Sequence, residues 1–199
     1  MPLISEFVSI EERREIEETL IGSPAAFARL MKRHQKQVAY LMWRFTRNRE
    51  DLEELVHDIF VEAFQNLRSF RGESSFLRWL KTIAYRTGYR YWKKNREIRT
   101  VSISEVSEPG SRETETSDME VALYSVLEHL PARERLIMTL HYFEGYDMRE
   151  ISIRMGWSYT LIRVSAFRAR KKIKQQLEKA GFGGEHEGNR KHSAQSQRS

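Results

Sequence analysis

The chain contains no cysteine, which excludes disulfides, thiolate metal sites and cysteine nucleophiles. No stretch approaches the roughly 18 consecutive apolar residues that a membrane span requires. An apolar signal core is also missing from the N-terminus, where Glu6, Glu11 and Glu12 stand in place of the bases of a secretory leader. No phosphate-binding Walker loop or nucleophile elbow occurs, and the six histidines are scattered, with His186 and His192 in the tail. A cytoplasmic protein without metal, cofactor or catalytic residues is the expectation. Acids, finally, are almost absent from two segments. Residues 76–99 carry eight bases against Glu97 alone, and residues 163–174 carry six bases and no acid.

With 40% hydrophobic and 31% charged residues, the composition is that of a globular protein rather than a disordered one. The net charge of +6 and pI near 9.6 favour an anionic partner. Charge alternates along the chain. Residues 1–22 hold six acids against two bases and read as an acidic N-terminal extension. A first helical module spans 23–96. Residues 97–118, Ser/Glu-rich around Pro109-Gly110 and without periodicity, read as a flexible linker. A second helical module spans 119–178, and the Gly-, Ser- and Gln-rich remainder, 179–199, reads as a disordered tail. The fold expected is all-α, in two small domains.

The first module reads as three long helices. Ser23 caps the first with Pro24 at its opening position. Phe27, Leu30, Met31, His34, Val38, Leu41, Met42 and Phe45 then recur at steps of three and four. After a break at Asn48, the second helix buries Leu52, Leu55, Val56, Ile59, Phe60, Ala63, Phe64 and Leu67, and shows an opposite acidic stripe of Asp51, Glu54, Asp58 and Glu62. The third, from Phe76 to about Arg96, assigns Phe76, Leu80, Ile83, Ala84, Thr87 and Tyr91 to the core. Its opposite face gathers Arg78, Lys81, Tyr85, Tyr89 and Trp92, flanked by Trp79, Arg86, Arg90 and Lys93. Bases alternating with aromatics suit an opened nucleic-acid strand, whose phosphates need cations and whose unstacked bases need π-faces. The plainer alternative is a charged surface helix whose aromatics cap a neighbouring core.

In the second module, one helix runs to Leu130, Pro131 opens another that ends at Gly145, and Asp147 with Glu150 forms a capping box for a short helix. Gly156-Trp157-Ser158 is a turn, and a basic helix follows from Tyr159. These are the parts of a helix-turn-helix. On the last helix Ile162, Ala166, Ala169 and Ile173 point inward, while Thr160, Arg163, Val164, Phe167, Arg168 and Lys171 form the outward group that a major groove would meet.

These residues resemble the sigma-70 superfamily, in particular its small two-domain extracytoplasmic function (ECF) group. Asp51 to Phe64 is similar to the second helix of region 2. Phe70-Arg71-Gly72-Glu73-Ser74-Ser75-Phe76, followed by Trp79-Leu80 and Ile83-Ala84, is similar to the loop and promoter-melting helix. Leu130-Pro131, Glu144-Gly145, Glu150-Ile151 and Met155-Gly156 match landmarks of region 4. The resemblance implies a sigma factor that binds core RNA polymerase and promoter DNA. Asp51, Glu54, Asp58 and Glu62 would dock on the β′ clamp helices, with the β subunit as a further contact. Phe70, Arg71, Ser74 and Ser75 would hold a flipped base of the −10 element, and the helix after them would bind the opened strand. Arg163, Val164, Phe167 and Arg168 would read the −35 element. The family also suggests an anti-sigma factor as partner, and no membrane. This chain departs from the group in having Arg86 and Arg90 where Asn and Asp are common, and Val164 where a hydroxyl is common.

Two rival readings remain. A helix-turn-helix regulator acting without polymerase shares the second module but leaves the acidic stripe and the Phe70–Trp79 stretch unexplained. Glu54 and His57 have the Glu-x-x-His spacing of a di-iron bundle, but the second such pair that a site requires is not in the sequence.

Overall fold

The computed structural model describes residues 8–101, 126–179 and 181, with the backbone alone for 96–101. They divide into two packed units, one holding residues 8–101 and the other 126–179 and 181, and are helical with no strand among the described residues. The linker expected over 97–118 lies outside the described residues from 102 onward, as do the start of the second module and the tail beyond 181.

Among the described residues the first unit has four α-helices rather than three: α1 (Ile10–Leu20), α2 (Pro24–Met42), α3 (Arg49–Asn66) and α4 (Phe76–Val101), with a 3-10 turn at Leu67–Ser69. Helix α1 is built from the segment read as an acidic extension. Ser9 and Glu12 close a reciprocal capping box at its start, satisfying amide groups that a helix N-terminus leaves unpaired. Its acids then meet bases of α2. Arg33 reaches Glu11 at 3.2 Å and Glu15 at 3.1 Å, Arg29 pairs with Glu18 and lies 3.4 Å from Glu15, and His34 Nε2 sits 2.8 Å from Glu12. Val8 and Ile16 of the same segment are buried. The acidic run was therefore a docking face.

Helices α2 and α3 begin as their caps dictate. Ser23 accepts from Ala26 N with Pro24 behind it, and Asn48 accepts from both Glu50 N and Asp51 N. Leu30, Val38, Leu41, Met42, Phe45, Leu55, Ile59, Phe60, Ala63 and Leu67 are buried as expected. Met31 and Phe64 are not: they are 37% and 52% exposed. Phe64 falls beyond the arc swept by the core positions of α3 and turns its ring edge-on to Phe27, centroids 5.0 Å apart.

Helix α4 packs against both α2 and α3, and this double contact widens its buried arc. Phe76, Leu80, Ile83, Ala84 and Thr87 form one buried stripe. Tyr85, Gly88 and Trp92, at steps of three and four, form a second. A Cβ built on Gly88 would lie 2.3 Å from two atoms of the Phe45 ring, so the bare glycine backbone is what lets the turn after α2 approach α4. Trp92 stacks on the same ring at 4.3 Å and donates its indole N–H to the Phe45 carbonyl at 2.8 Å.

In the second unit, a helical turn over 126–129 precedes α5 (Ala132–Met138), a π-helical turn (Thr139–Phe143), α6 (Met148–Met155) and α7 (Tyr159–Lys179). The expected capping box at Asp147 and Glu150 is formed, and Gly156 ends α6 with φ 68°, a left-handed conformation that favours glycine. Ser158 accepts from Leu161 N to start α7. Leu127, Leu130, Leu136, Ile137, Leu140, Ile151, Ile162, Ala166 and Ala169 make the core.

Candidate nucleic-acid interface

On α4, the structure corrects the outward face. Tyr85 is fully buried and Trp92 is 6% exposed, so neither is available to a nucleic-acid strand. The physical reason is the second buried stripe: a helix wedged against two others keeps a narrower solvent sector than a one-sided pattern assumes. Arg78, Arg86, Arg90 and Lys93 remain exposed, with Tyr89 and Trp79 partly so and Lys81 half-buried. At 100° per residue, the six positions 78, 79, 86, 89, 90 and 93 lie within roughly 120° of arc, a single basic face edged by two aromatic rings. The signal that could have exposed the error was Gly88. A glycine inside a helix costs about 1 kcal/mol relative to alanine and calls for a close-packing partner.

The loop before α4 is pinned from below by aromatics. Phe70, Phe76 and Trp79 form a triangle with centroid separations of 5.5 to 5.6 Å, and the buried His34 ring lies 5.4 Å from Phe76. Gly72 is buried with φ 71°. Ser75 is engaged as the helix cap, accepting from Arg78 N at 3.3 Å. Arg71 is exposed and Ser74 half-buried. The loop therefore exposes Arg71 and part of Ser74 in a segment whose ends are held by the aromatic triangle.

The acidic stripe of α3 divides in two. Glu54 and Asp58 are exposed. Glu62 accepts from Arg90, and Thr87 lies 3.4 Å from the same carboxylate. At the other end of the stripe, the Tyr91 hydroxyl donates to Asp51 at 2.7 Å and lies 3.0 Å from Thr46 Oγ1. Burial, and then the Asp51 carboxylate, push the Tyr91 phenol above its ordinary value, so it stays protonated and remains a donor. Asp51 and Glu62 thus brace α3 against α4. Beside Glu54 and Asp58 the same helix exposes Val61 and Phe64, an apolar pair that the hydrophobic pattern assigned to core or passed over.

In the second unit, all six outward positions of α7, Thr160, Arg163, Val164, Phe167, Arg168 and Lys171, are exposed. Phe167 is 69% and Val164 41% exposed. Arg163 lies over the Tyr159 ring at 5.9 Å and Arg149 of α6 approaches the same ring at 5.7 Å. Two further bases are tied inside the unit, Lys172 to Glu134 at 2.8 Å and Arg170 to the Tyr142 hydroxyl at 3.2 Å. The turn is held by Ser152, which donates to the Trp157 carbonyl at 2.6 Å. A basic helix presented after a tight turn by a short supporting helix is the geometry with which a helix-turn-helix enters a major groove.

Glu54 and His57 are both exposed on α3. Among the described residues, no group of three or more potential metal-ligating side chains comes together, and no helix is long and apolar enough to cross a membrane.

Known proteins match both units. The family model for sigma-70 region 2 matches residues 30–98 and that for sigma-70 region 4 matches residues 120–173, together more than half of the chain. Over 179 residues the chain is 28% identical to the ECF RNA polymerase sigma-E factor of Haemophilus influenzae, covering 82% of this chain and 93% of that protein. Over 160 residues it is 26% identical to RNA polymerase sigma factor YlaC of Bacillus subtilis, covering 76% of this chain and 91% of that protein. A solved structure of the sigma factor RpoE in complex with the anti-sigma factor NepR, from Bartonella quintana, matches with a TM-score of 0.56 at 20% identity, over 76% of this chain and 96% of that one, a likeness of fold.

Proposed function

The chain belongs to the sigma-70 family, in its extracytoplasmic function group, and from that premise we propose that it is a sigma factor that binds core RNA polymerase, recognises promoter DNA and starts transcription by stabilising the opened strand. The observation that carries this reading is a pair of exposed surfaces on two packed helices of the first unit. Helix α3 exposes an acidic and apolar face (Glu54, Asp58, Val61, Phe64) and α4 exposes a basic one (Arg78, Arg86, Lys93). A DNA-binding regulator that works alone has use for the second face but not the first, so polymerase binding accounts for more of the molecule.

In this reading Glu54, Asp58, Val61 and Phe64 dock on the β′ clamp helices. Asp51 and Glu62 fix the angle of α3 against α4. Arg71 and Ser74 hold a flipped base above the Phe70, Phe76 and Trp79 triangle, and Arg78, Lys81, Arg86, Tyr89, Arg90 and Lys93 follow the strand. Stacking on the accessible edges of Trp79 and Tyr89 contributes about 1–3 kcal/mol per base. Thr160, Arg163, Val164, Phe167, Arg168 and Lys171 enter the −35 duplex. The chemistry belongs to the polymerase: this chain supplies binding and orientation in the cytoplasm. A masking partner of the anti-sigma class, like the one bound to the Bartonella protein, would cover the polymerase-facing surfaces.

Transcription reconstituted from core polymerase, this chain and a promoter library tests the proposal. Transcripts that start at defined sites only when the chain is present are expected. Specific DNA binding by the chain alone, with no association with core polymerase, would overturn it.

A further inference from the structure

From the outward face of α7 we infer, building on the sigma-factor reading, that Val164 and Phe167 determine sequence specificity by touching the C5-methyl group of thymine in the upstream promoter element. The two side chains sit at i and i+3, adjacent on the helix surface, and are 41% and 69% exposed. Folding makes little use of them. The inward stripe of α7 is Ile162, Ser165, Ala166 and Ala169, and the outward pair lies on the far side of it. Around them stand Arg163, Arg168 and Lys171, also exposed, in a segment with six bases and no acid. That charge selects a polyanion, and its placement leaves an apolar centre inside a cationic rim.

A major-groove floor offers donors, acceptors and one apolar group, the thymine methyl. Neither Val164 nor Phe167 has a side-chain hydrogen-bonding atom, so the base pairs beneath them are distinguished by that methyl or hardly at all. The bases on the rim act differently. Their cations bind phosphates or guanine edges, and neither carries a methyl group, so the rim holds the helix in the groove while the apolar pair senses the methyl. Removing one buried methyl from such a contact lowers affinity about fourfold.

The test uses the full chain with core polymerase. Promoter templates randomised across the upstream element are selected for open-complex formation. In the best template each thymine is then replaced singly by deoxyuridine, which deletes the methyl and keeps every hydrogen-bonding group. At least one replacement is expected to weaken complex formation about fourfold. V164A or F167A should remove that penalty and F167L should retain it, while R163A and R168A should weaken thymine and deoxyuridine templates alike. Placing 5-methylcytosine at the sensitive position should recover part of the loss relative to cytosine. Circular dichroism of each variant checks that the helices remain intact. Deoxyuridine templates that behave as their thymine parents, or a penalty that survives both alanine variants, overturn this inference and leave the sigma-factor reading standing. A selection that enriches nothing above polymerase alone overturns both.

Discussion

Helices α4 and α7 are made from the same ingredients, bases interleaved with aromatic and apolar residues, and the two units dispose of them in opposite ways. In α4 the aromatics are largely structural. Phe76, Tyr85 and Trp92 are buried, and Trp79, Tyr89 and Tyr91 are partly so. In α7 they stay outside, with Tyr159, Val164 and Phe167 all exposed. The difference does not follow from the number of partners, since α4 packs on α2 and α3 and α7 packs on α5 and α6. It follows from how the buried arc is divided: α4 buries two stripes, whereas α7 buries one, Ile162, Ser165, Ala166 and Ala169. An aromatic in a basic helix therefore says little about nucleic acid until its neighbours are known.

The strongest challenge to this contrast is Trp92→Ala. Loss of a buried indole, its stack on Phe45 and its hydrogen bond to the Phe45 carbonyl should destabilise the first unit by about 3–5 kcal/mol, measured by urea unfolding. A variant that unfolds like the parent yet fails to open DNA would return Trp92 to the interface. Gly88→Ala should come next. Overpacking against Phe45 costs about 1–3 kcal/mol, offset in part by the helix preference for alanine, about 1 kcal/mol, so a net fall in the thermal midpoint is expected.

On α7 the effects should move from stability to binding. Arg163→Ala and Arg168→Ala should each lower the salt dependence of promoter binding by about one unit of slope where the lost contact is a phosphate, read from affinities across a salt series. Phe167→Ala should leave unfolding within about 0.5 kcal/mol of the parent. A larger loss would mean that the side chain is a core residue after all.

The smallest effect concerns α1. Glu18 is held below its ordinary carboxyl value chiefly by the hydrogen bond from Arg14, with Arg29 adding to it. Its contribution is therefore complete above its unfolded value of about 4.5 and is lost as pH falls through the lowered folded value. Amide protection in residues 10–20, taken relative to the intrinsic exchange rate at each pH, should fall over that window before the rest of the unit responds.

Much of this architecture could be read from the sequence because its signals are local. Ser23 with Pro24, Asn48, Asp147 with Glu150, and Gly156 all act within one turn of chain, and each marks the boundary expected of it. The outward group on α7 was equally legible, since one buried stripe leaves the opposite face free. What failed was non-local. No spacing within α4 reveals that Phe45, far away in sequence, lies against Gly88, or that Thr46 and Asp51 await the Tyr91 hydroxyl. Nor does an acidic run announce that Arg29 and Arg33 stand opposite to it, which is why α1 looked like an appendage. The acidic stripe suffered in the same way: two of its four carboxylates were already engaged by α4.

The contact between Gly88 and Phe45 also bears on how this protein can change over generations. Position 88 has no side chain, so the space between α4 and the turn after α2 is filled from one side only. A lineage that acquired alanine at 88 would be expected to survive best where 45 had shrunk to a leucine or valine, and one that kept the large ring would be held to glycine. The two sites should drift together as a single inherited volume, and a paired variant such as Gly88→Ala with Phe45→Leu should be more stable than Gly88→Ala alone.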